Sequence, residues 1–268
     1  LYVLNLKEIP KNNTDLEQRI QAFRKARMQE FKELILDKCE IDPDSVFHKL
    51  WTASKNCNQD EEHTLENLFP EVFFFLVGGP VSSLGDSFPI IMQLICQHKE
   101  IQQKLSGLLL TNENDALIYL DQIIKEALRL HPPVAVIPTR TVKEDFTLNG
   151  ITIRAGDNIV VSPLVNHHDR AYWPEPEKFD PERFAPGVTI QKGTYLPFGL
   201  GDRECPGSKY GLLVLKTFIA KLFREFDVNI KKDSTLQLVG PTTVTSDKLE
   251  IYLNPREPAY SAKISKRK

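Results

Sequence analysis

In the stretch Phe198-Gly-Leu-Gly-Asp-Arg-Glu-Cys-Pro-Gly207, Cys205 is the side chain best placed to do chemistry. Glycines at 199, 201 and 207 let the backbone turn tightly and lie flat against a neighbouring group. Arg203 stands two residues before the thiol, and a helical pattern begins just after it. A thiol at a helix N-terminus is favoured as thiolate by the helix dipole and the unpaired amides. A thiolate beside backbone donors suits a metal. With no second ligand nearby in sequence, it suits an axial ligand of heme iron better than a zinc site. Cys39, Cys57 and Cys96 lie far apart, with no C-x-x-C or C-x-H spacing, and read as reduced, partly buried thiols.

The stretch resembles the heme-binding loop of the cytochrome P-450 family, F-x-x-G-x-R-x-C-x-G. Phe198, Gly201, Arg203, Cys205 and Gly207 fill its defined positions. Three further matches follow in the family's order. Glu126-Ala-Leu-Arg129 places an acid and a base three residues apart, on one face of an expected helix. By itself that spacing is common and reads as a solvated surface pair. Pro181-Glu-Arg-Phe184 carries the Arg that the family pairs with this Glu and Arg, so the resemblance makes Glu126, Arg129 and Arg183 a structural triad. Arg140 stands where the family places a basic residue that reaches a heme propionate, and the resemblance gives Arg203 the same task. Guanidinium forks suit carboxylates. The implied cofactor is heme b (iron protoporphyrin IX), with Cys205 as the metal ligand. His167 and His168 read as hydrogen-bonded structural histidines.

Apolar positions recur at helical spacing over residues 14–38, about 115–130 and 210–226. In the last of these, Leu212, Leu215, Phe218, Ile219, Leu222 and Phe226 line one side, with Lys216, Lys221 and Arg224 on the other. Residues 64–105 are helix-like but interrupted, because Pro70, Pro80 and Pro89 each remove a backbone donor and could kink or break the run. Asn149-Gly150 between Asp145-Phe-Thr-Leu and Ile-Thr-Ile predicts a tight β-hairpin, and Ile159–Val161 another short strand. Residues 169–207 read as irregular but ordered, and Thr235 to Leu253 as a hairpin turning at Gly240-Pro241. The expected fold is mainly α with small β-sheets. By resemblance, residues 1–268 are the C-terminal portion of a single P-450 domain, lacking the N-terminal half and any membrane anchor.

The long helix over the heme in this family carries a small residue, Gly, a variable residue, an acid, then Thr. The acid and the alcohol help deliver protons to dioxygen. Here the run is Val77-Gly-Gly-Pro-Val-Ser-Ser-Leu84. Aligned on its glycines, it puts Val81 at the acid and Ser82 at the alcohol; counted back from His98, it puts Ser82 and Ser83 there. A hydroxyl survives and the acid does not, so Ser82 and Ser83 are the candidate catalytic residues. Asp86 reads as a surface or capping residue. The resemblance implies a monooxygenase that oxidises a lipophilic small molecule with O2. The missing acid keeps open a donor-independent isomerase or dehydratase of hydroperoxides or endoperoxides, and a catalytically degenerate heme-binding relative.

By the family's layout, residues 73–83, 134–138 and 239–245 would frame the substrate pocket, and their side chains are mostly apolar or small, which fits a lipophilic ligand. The 34 basic and 36 acidic residues leave a net charge of −2, which argues against a nucleic-acid partner. Lys209, Lys216, Lys221 and Arg224 could form a basic face that steers an acidic electron donor, an NADPH-dependent reductase or a ferredoxin; a plain solvated face is the other reading. No apolar run is long enough to span a bilayer. By resemblance the protein is expected at the endoplasmic reticulum membrane, held through the missing N-terminal part, with mitochondria as the alternative.

Overall fold

The computed structural model describes residues 83–231 and 249–256 continuously, together with the helix Val46–Lys55, the backbone of strands Thr235–Val239 and Thr243–Asp247, and a few single positions before residue 80. The chain divides into two compact units, Leu1–Gly78 and Gly79–Lys268. In the first, the described helix is α1 (Val46–Lys55). The helix expected over residues 14–38 lies outside the described residues except at 22, 25, 26 and 29, which are helical.

The second unit carries α2 (Gly85–Gln97), α3 (Lys99–Thr111), α4 (Glu113–Leu130), α5 (Pro163–His167) and α6 (Ser208–Glu225). Pro70 and Pro80 lie outside the described residues, but Pro89 does not break its helix. It is the fifth residue of α2, where it forgoes a single i→i−4 bond, that to the Gly85 carbonyl, and the helix runs on to Gln97. The interruption comes instead at His98, whose extended backbone (ψ 87°) ends α2 and starts α3.

α4 is the central element. The Asn112 side chain accepts a hydrogen bond from the Asp115 amide, and Glu113 and Asp115 place negative charge in the first turn. Ala116, Leu120, Ile123, Ile124 and Ala127 are fully buried, and α4 packs against α2, α3 and α6. α6 contributes Leu215, Ile219, Ala220 and Phe223 to the same core. Phe218, expected on the buried side, is 53% exposed, and Phe223 takes the interior place.

The sheets are small and antiparallel. β1 (Arg140–Thr141) pairs with β4 (Asn158–Ile159), and β2 (Phe146–Leu148) with β3 (Ile151–Ile153). Asn149 (φ 49°) and Gly150 (φ 79°) form the left-handed turn that their sequence predicts. β6 (Thr235–Val239) and β7 (Thr243–Asp247) form the expected hairpin. β5 (Phe226–Ile230) follows α6 directly and pairs with β8 (Ile251–Pro255), which the alternation pattern alone does not announce. The fold is mainly helical with small sheets.

Candidate active site: a cysteine loop backed by a buried ionic network

Cys205 is a free, exposed cysteine in the loop that enters α6. Its amide donates to the Phe198 carbonyl (2.8 Å), closing residues 198–205 into one turn, and Ser208 N–H donates to the Cys205 carbonyl (3.2 Å). Gly199 (φ 78°) and Gly201 (φ 74°) both sit in the left-handed region, which explains glycine there. Gly201–Arg203 form one 3-10 turn, and Gly207 is the N-cap of α6. A Cβ on Gly207 would lie 3.8 Å from Cys205 Sγ, an ordinary contact. Phe198 is half-buried and packs on the core, anchoring the start of the loop.

Behind this loop lies the ionic network. Glu126 and Arg129 are fully buried on α4, so the reading as a solvated surface pair is wrong. Arg129 Nε and Nη2 donate to the two oxygens of Glu126 at 2.7 and 2.9 Å, a bidentate pair. Nη1 donates to the His167 carbonyl (2.8 Å), and the second hydrogen of Nη2 is shared between the carbonyls of Pro176 (2.7 Å) and Lys178 (3.2 Å). Arg183 Nε stands 3.3 Å from Glu126 Oε1, close enough for charge pairing although its N–H is not aligned for a hydrogen bond. Arg183 Nη2 donates to the carbonyls of Pro174 and Glu175. The Asp180 amide also donates to Glu126 Oε1 (2.9 Å). Buried charges cost several kcal/mol each unless paired and hydrogen-bonded, and this network meets that condition. It also fastens residues 167–183 to α4 through their own backbone.

Of the other expected site residues, Arg140 lies on β1, exposed, with Nη1 donating to the Pro138 carbonyl (2.8 Å). Arg203 is exposed in the cysteine loop. Neither pairs with a carboxylate among the described residues. Ser82 lies outside the described residues; Ser83 is in a π turn leading into α2, and its carbonyl accepts from the Ser87 hydroxyl (2.6 Å). Such turns recur at functional sites. Asp86 is in the first turn of α2, where its charge suits the helix N-terminus, but it makes no side-chain cap bond there.

Of the three expected pocket walls, residues 73–82 other than Gly79 lie outside the described part, as do the side chains of 239–245. In the third, Val134 is exposed and Ala135 buried. Sequence reading did not anticipate an apolar groove of about 430 Å³ between Leu84, Gly85 and Phe88 of the α2 end and Tyr210, Val214, Leu215 and Phe218 of α6. A Cβ on Gly211 would lie 3.5 Å from Leu84 Cδ2, an ordinary contact, so the approach there does not require glycine. The basic face needs correction too. Lys216 is bonded to Asp121 (2.7 Å) and Arg224 to Glu113 (2.7 Å), which leaves Lys209 and Lys221 as the cations of this face without an ion-pair partner among the described residues.

A family model of cytochrome P450 matches residues 2–254. The chain belongs to the cytochrome P450 family. It is 31% identical to human (Homo sapiens) cytochrome P450 3A5 over 251 residues, covering 88% of this chain and 48% of that protein. Thromboxane-A synthase of Mus musculus is 32% identical over 220 residues, covering 77% of this chain and 40% of the relative. The solved structure of a retinoic acid-bound cyanobacterial CYP120A1 superposes with a TM-score of 0.78 at 27% identity, covering 92% of this chain and 59% of that one. The chain thus spans about half the length of the curated P450s that it matches.

The residues present fit the heme that a P450 implies. Cys205 offers one exposed thiol at the start of α6, with the Arg203 guanidinium exposed in the same loop. A macrocycle needs only an axial thiolate from the chain. The unpaired guanidiniums of Arg140 and Arg203 suit its carboxylates. No helix among the described residues is long and apolar enough to cross a membrane.

Proposed function

We propose that this P450 chain carries the cysteine half of a heme-thiolate monooxygenase that oxidises a lipophilic small molecule with O2. A reductase or ferredoxin supplies the electrons. The observation that carries the reading is the exposed Cys205 thiol on a glycine-turned loop at the start of α6, backed by the fully buried Glu126–Arg129 pair. Cys205 Sγ holds the iron of heme b, Arg140 and Arg203 take its propionates, and Phe198, Gly201 and Gly207 shape the loop beneath it. The bound heme supplies the oxygen chemistry. Glu126, Arg129 and Arg183 act structurally, fixing the segment that precedes the cysteine loop. Ser82 and Ser83 supply the hydroxyl that moves a proton toward the reacting oxygen. Membership of the endoplasmic reticulum membrane goes with this reading.

The test is the carbon-monoxide difference spectrum of the reduced protein, using the longest natural chain that carries this sequence. A red-shifted thiolate-type Soret band that is lost in Cys205→Ala supports the assignment, and a band unchanged by that substitution overturns it. Substrate oxidation that requires an electron donor then supports the monooxygenase.

A second reading is favoured by one specific observation: residues 77–84 contain no carboxylate. A donor-independent isomerase or dehydratase takes its oxygen from the substrate and needs no proton relay, and a synthase stands among the relatives. Label from O2 appearing in the product counts against this second reading; turnover of a hydroperoxide without donor supports it.

A further inference from the structure

His167, the last residue of α5, is fully buried and makes two hydrogen bonds through its ring. The Leu196 amide donates to Nε2 at 2.7 Å, so that nitrogen must be unprotonated. Nδ1 lies 3.1 Å from the Arg129 carbonyl, which can only accept, so the proton sits on Nδ1. The partners thereby fix one neutral tautomer. Burial pushes the imidazole down to about 4, against the raising effect of its bond to the Arg129 carbonyl and helped by the Arg129 charge, so it stays neutral at ordinary pH.

The two bonds join different parts of the site. Arg129 belongs to the buried pair, and its guanidinium returns a bond to the His167 carbonyl, so the two residues clasp each other in both directions. Leu196 begins the approach to the cysteine: its carbonyl accepts from Gly199 N–H (3.1 Å), and the Phe198 carbonyl accepts from Cys205 N–H (2.8 Å). The neighbouring residues add to the hold. Asn166 donates to the carbonyls of Gly193 and Thr194, Tyr195 stacks on the His167 ring (5.4 Å), and the Tyr195 hydroxyl donates to the Lys125 carbonyl.

We propose that His167 is a positioning residue for Cys205: its neutral ring ties the Glu126–Arg129 pair to the start of the cysteine loop and so sets where the thiolate stands. The proposal rests on the heme-thiolate reading above. It accounts for what the ionic network cannot do by itself, since neither Glu126 nor Arg129 makes a side-chain bond to residues 196–205.

The experiment compares His167→Phe with wild type in the longest natural chain carrying this sequence. Phe keeps a ring against Tyr195 and removes both bonds. Two quantities are read: hydrogen exchange of the Leu196 amide, and the half-time for loss of the red-shifted band of the reduced carbon-monoxide complex in mild urea. The expected result is exchange about tenfold faster and a half-time about tenfold shorter, with heme uptake and the global unfolding midpoint little changed. Exchange and half-time both within about twofold of wild type overturn the proposal, as does a band loss that only tracks global unfolding.

Should His167→Phe fail to fold, His167→Gln and His167→Asn decide. Gln places its amide near the Nε2 position and keeps the bond to Leu196, whereas Asn reaches only toward Arg129. Gln alone should preserve the slow band loss, and equal behaviour of the two overturns the proposal. A wild-type protein that shows no red-shifted band overturns the heme-thiolate reading itself, and this proposal with it.

Discussion

Replacing Arg129 by Lys tests whether the buried network, rather than charge alone, holds the site. The guanidinium makes five contacts of 2.7 to 3.2 Å with oxygen acceptors: both oxygens of Glu126 and the carbonyls of His167, Pro176 and Lys178. Lysine keeps the positive charge but has three donors on a single nitrogen, so at least two acceptors lose their partner. Each buried acceptor left unsatisfied costs about 1–3 kcal/mol, which puts the substitution at about 4 kcal/mol. Glu126 would retain the Asp180 amide and Arg183, so its charge is not wholly stranded. Since folded proteins are stable by only about 5–15 kcal/mol, a loss of this size is severe without being certain to unfold the chain. The assay is urea unfolding followed by far-UV circular dichroism. With a slope of roughly 3 kcal/mol/M, the midpoint should fall by about 1.3 M at unchanged slope. A midpoint within about 0.3 M of wild type would refute the reasoning, because it would mean that charge and not the fork geometry matters.

Other outcomes follow from the same structure. His167 and His131 both have pKa values held down to about 4 by burial, against 6.5 when free. The unfolded chain binds the protons first, so their contribution is complete above pH 6.5 and is lost as pH falls from 6.5 to about 4, by about 3 kcal/mol for each histidine; stability measured at pH 7 and pH 4.5 checks this, and a flat profile over that window contradicts it. Gly199→Ala forces a side chain into φ 78° and should cost about 1–2 kcal/mol, read as a lowered unfolding midpoint. Lys209→Glu should slow reduction by an acidic donor and change its salt dependence, because Lys209 is exposed and unpaired. Lys216→Glu should instead lower stability by about 1 kcal/mol, since Lys216 already serves Asp121, whose carboxyl is held below its usual range by Lys125 and Lys216 against the opposing effect of burial.

The local features were legible because they depend on near neighbours. Asn149-Gly150 makes its turn by backbone sterics, and the α4 and α6 stripes follow from helical period. The cysteine loop was legible for the same reason, as glycine, arginine and thiol at fixed offsets. The Lys99–Thr111 helix and the break at His98 were not, since Lys, Gln and Ser intersperse the apolar positions and no proline or glycine marks the break. Pro89 misled because it removes only one helical hydrogen bond, and the buried Ile90, Ile91, Leu94 and Ile95 that follow hold the helix together.

By itself the sequence determined the types and spacings of Cys205, Glu126, Arg129 and Arg183, and with them the P450 resemblance. Only the tertiary structure decided that Glu126 and Arg129 are fully buried, that Phe218 faces outward, that Lys216 is already paired, and that His167 spans from Arg129 to Leu196. The physical reason is separation along the chain. Arg129 and His167 are 38 residues apart and His167 and Leu196 29, and Phe226 of β5 meets Pro255 of β8 across a comparable gap. No local preference specifies such pairings; they form because buried donors and acceptors must find partners once the surrounding helices have excluded water.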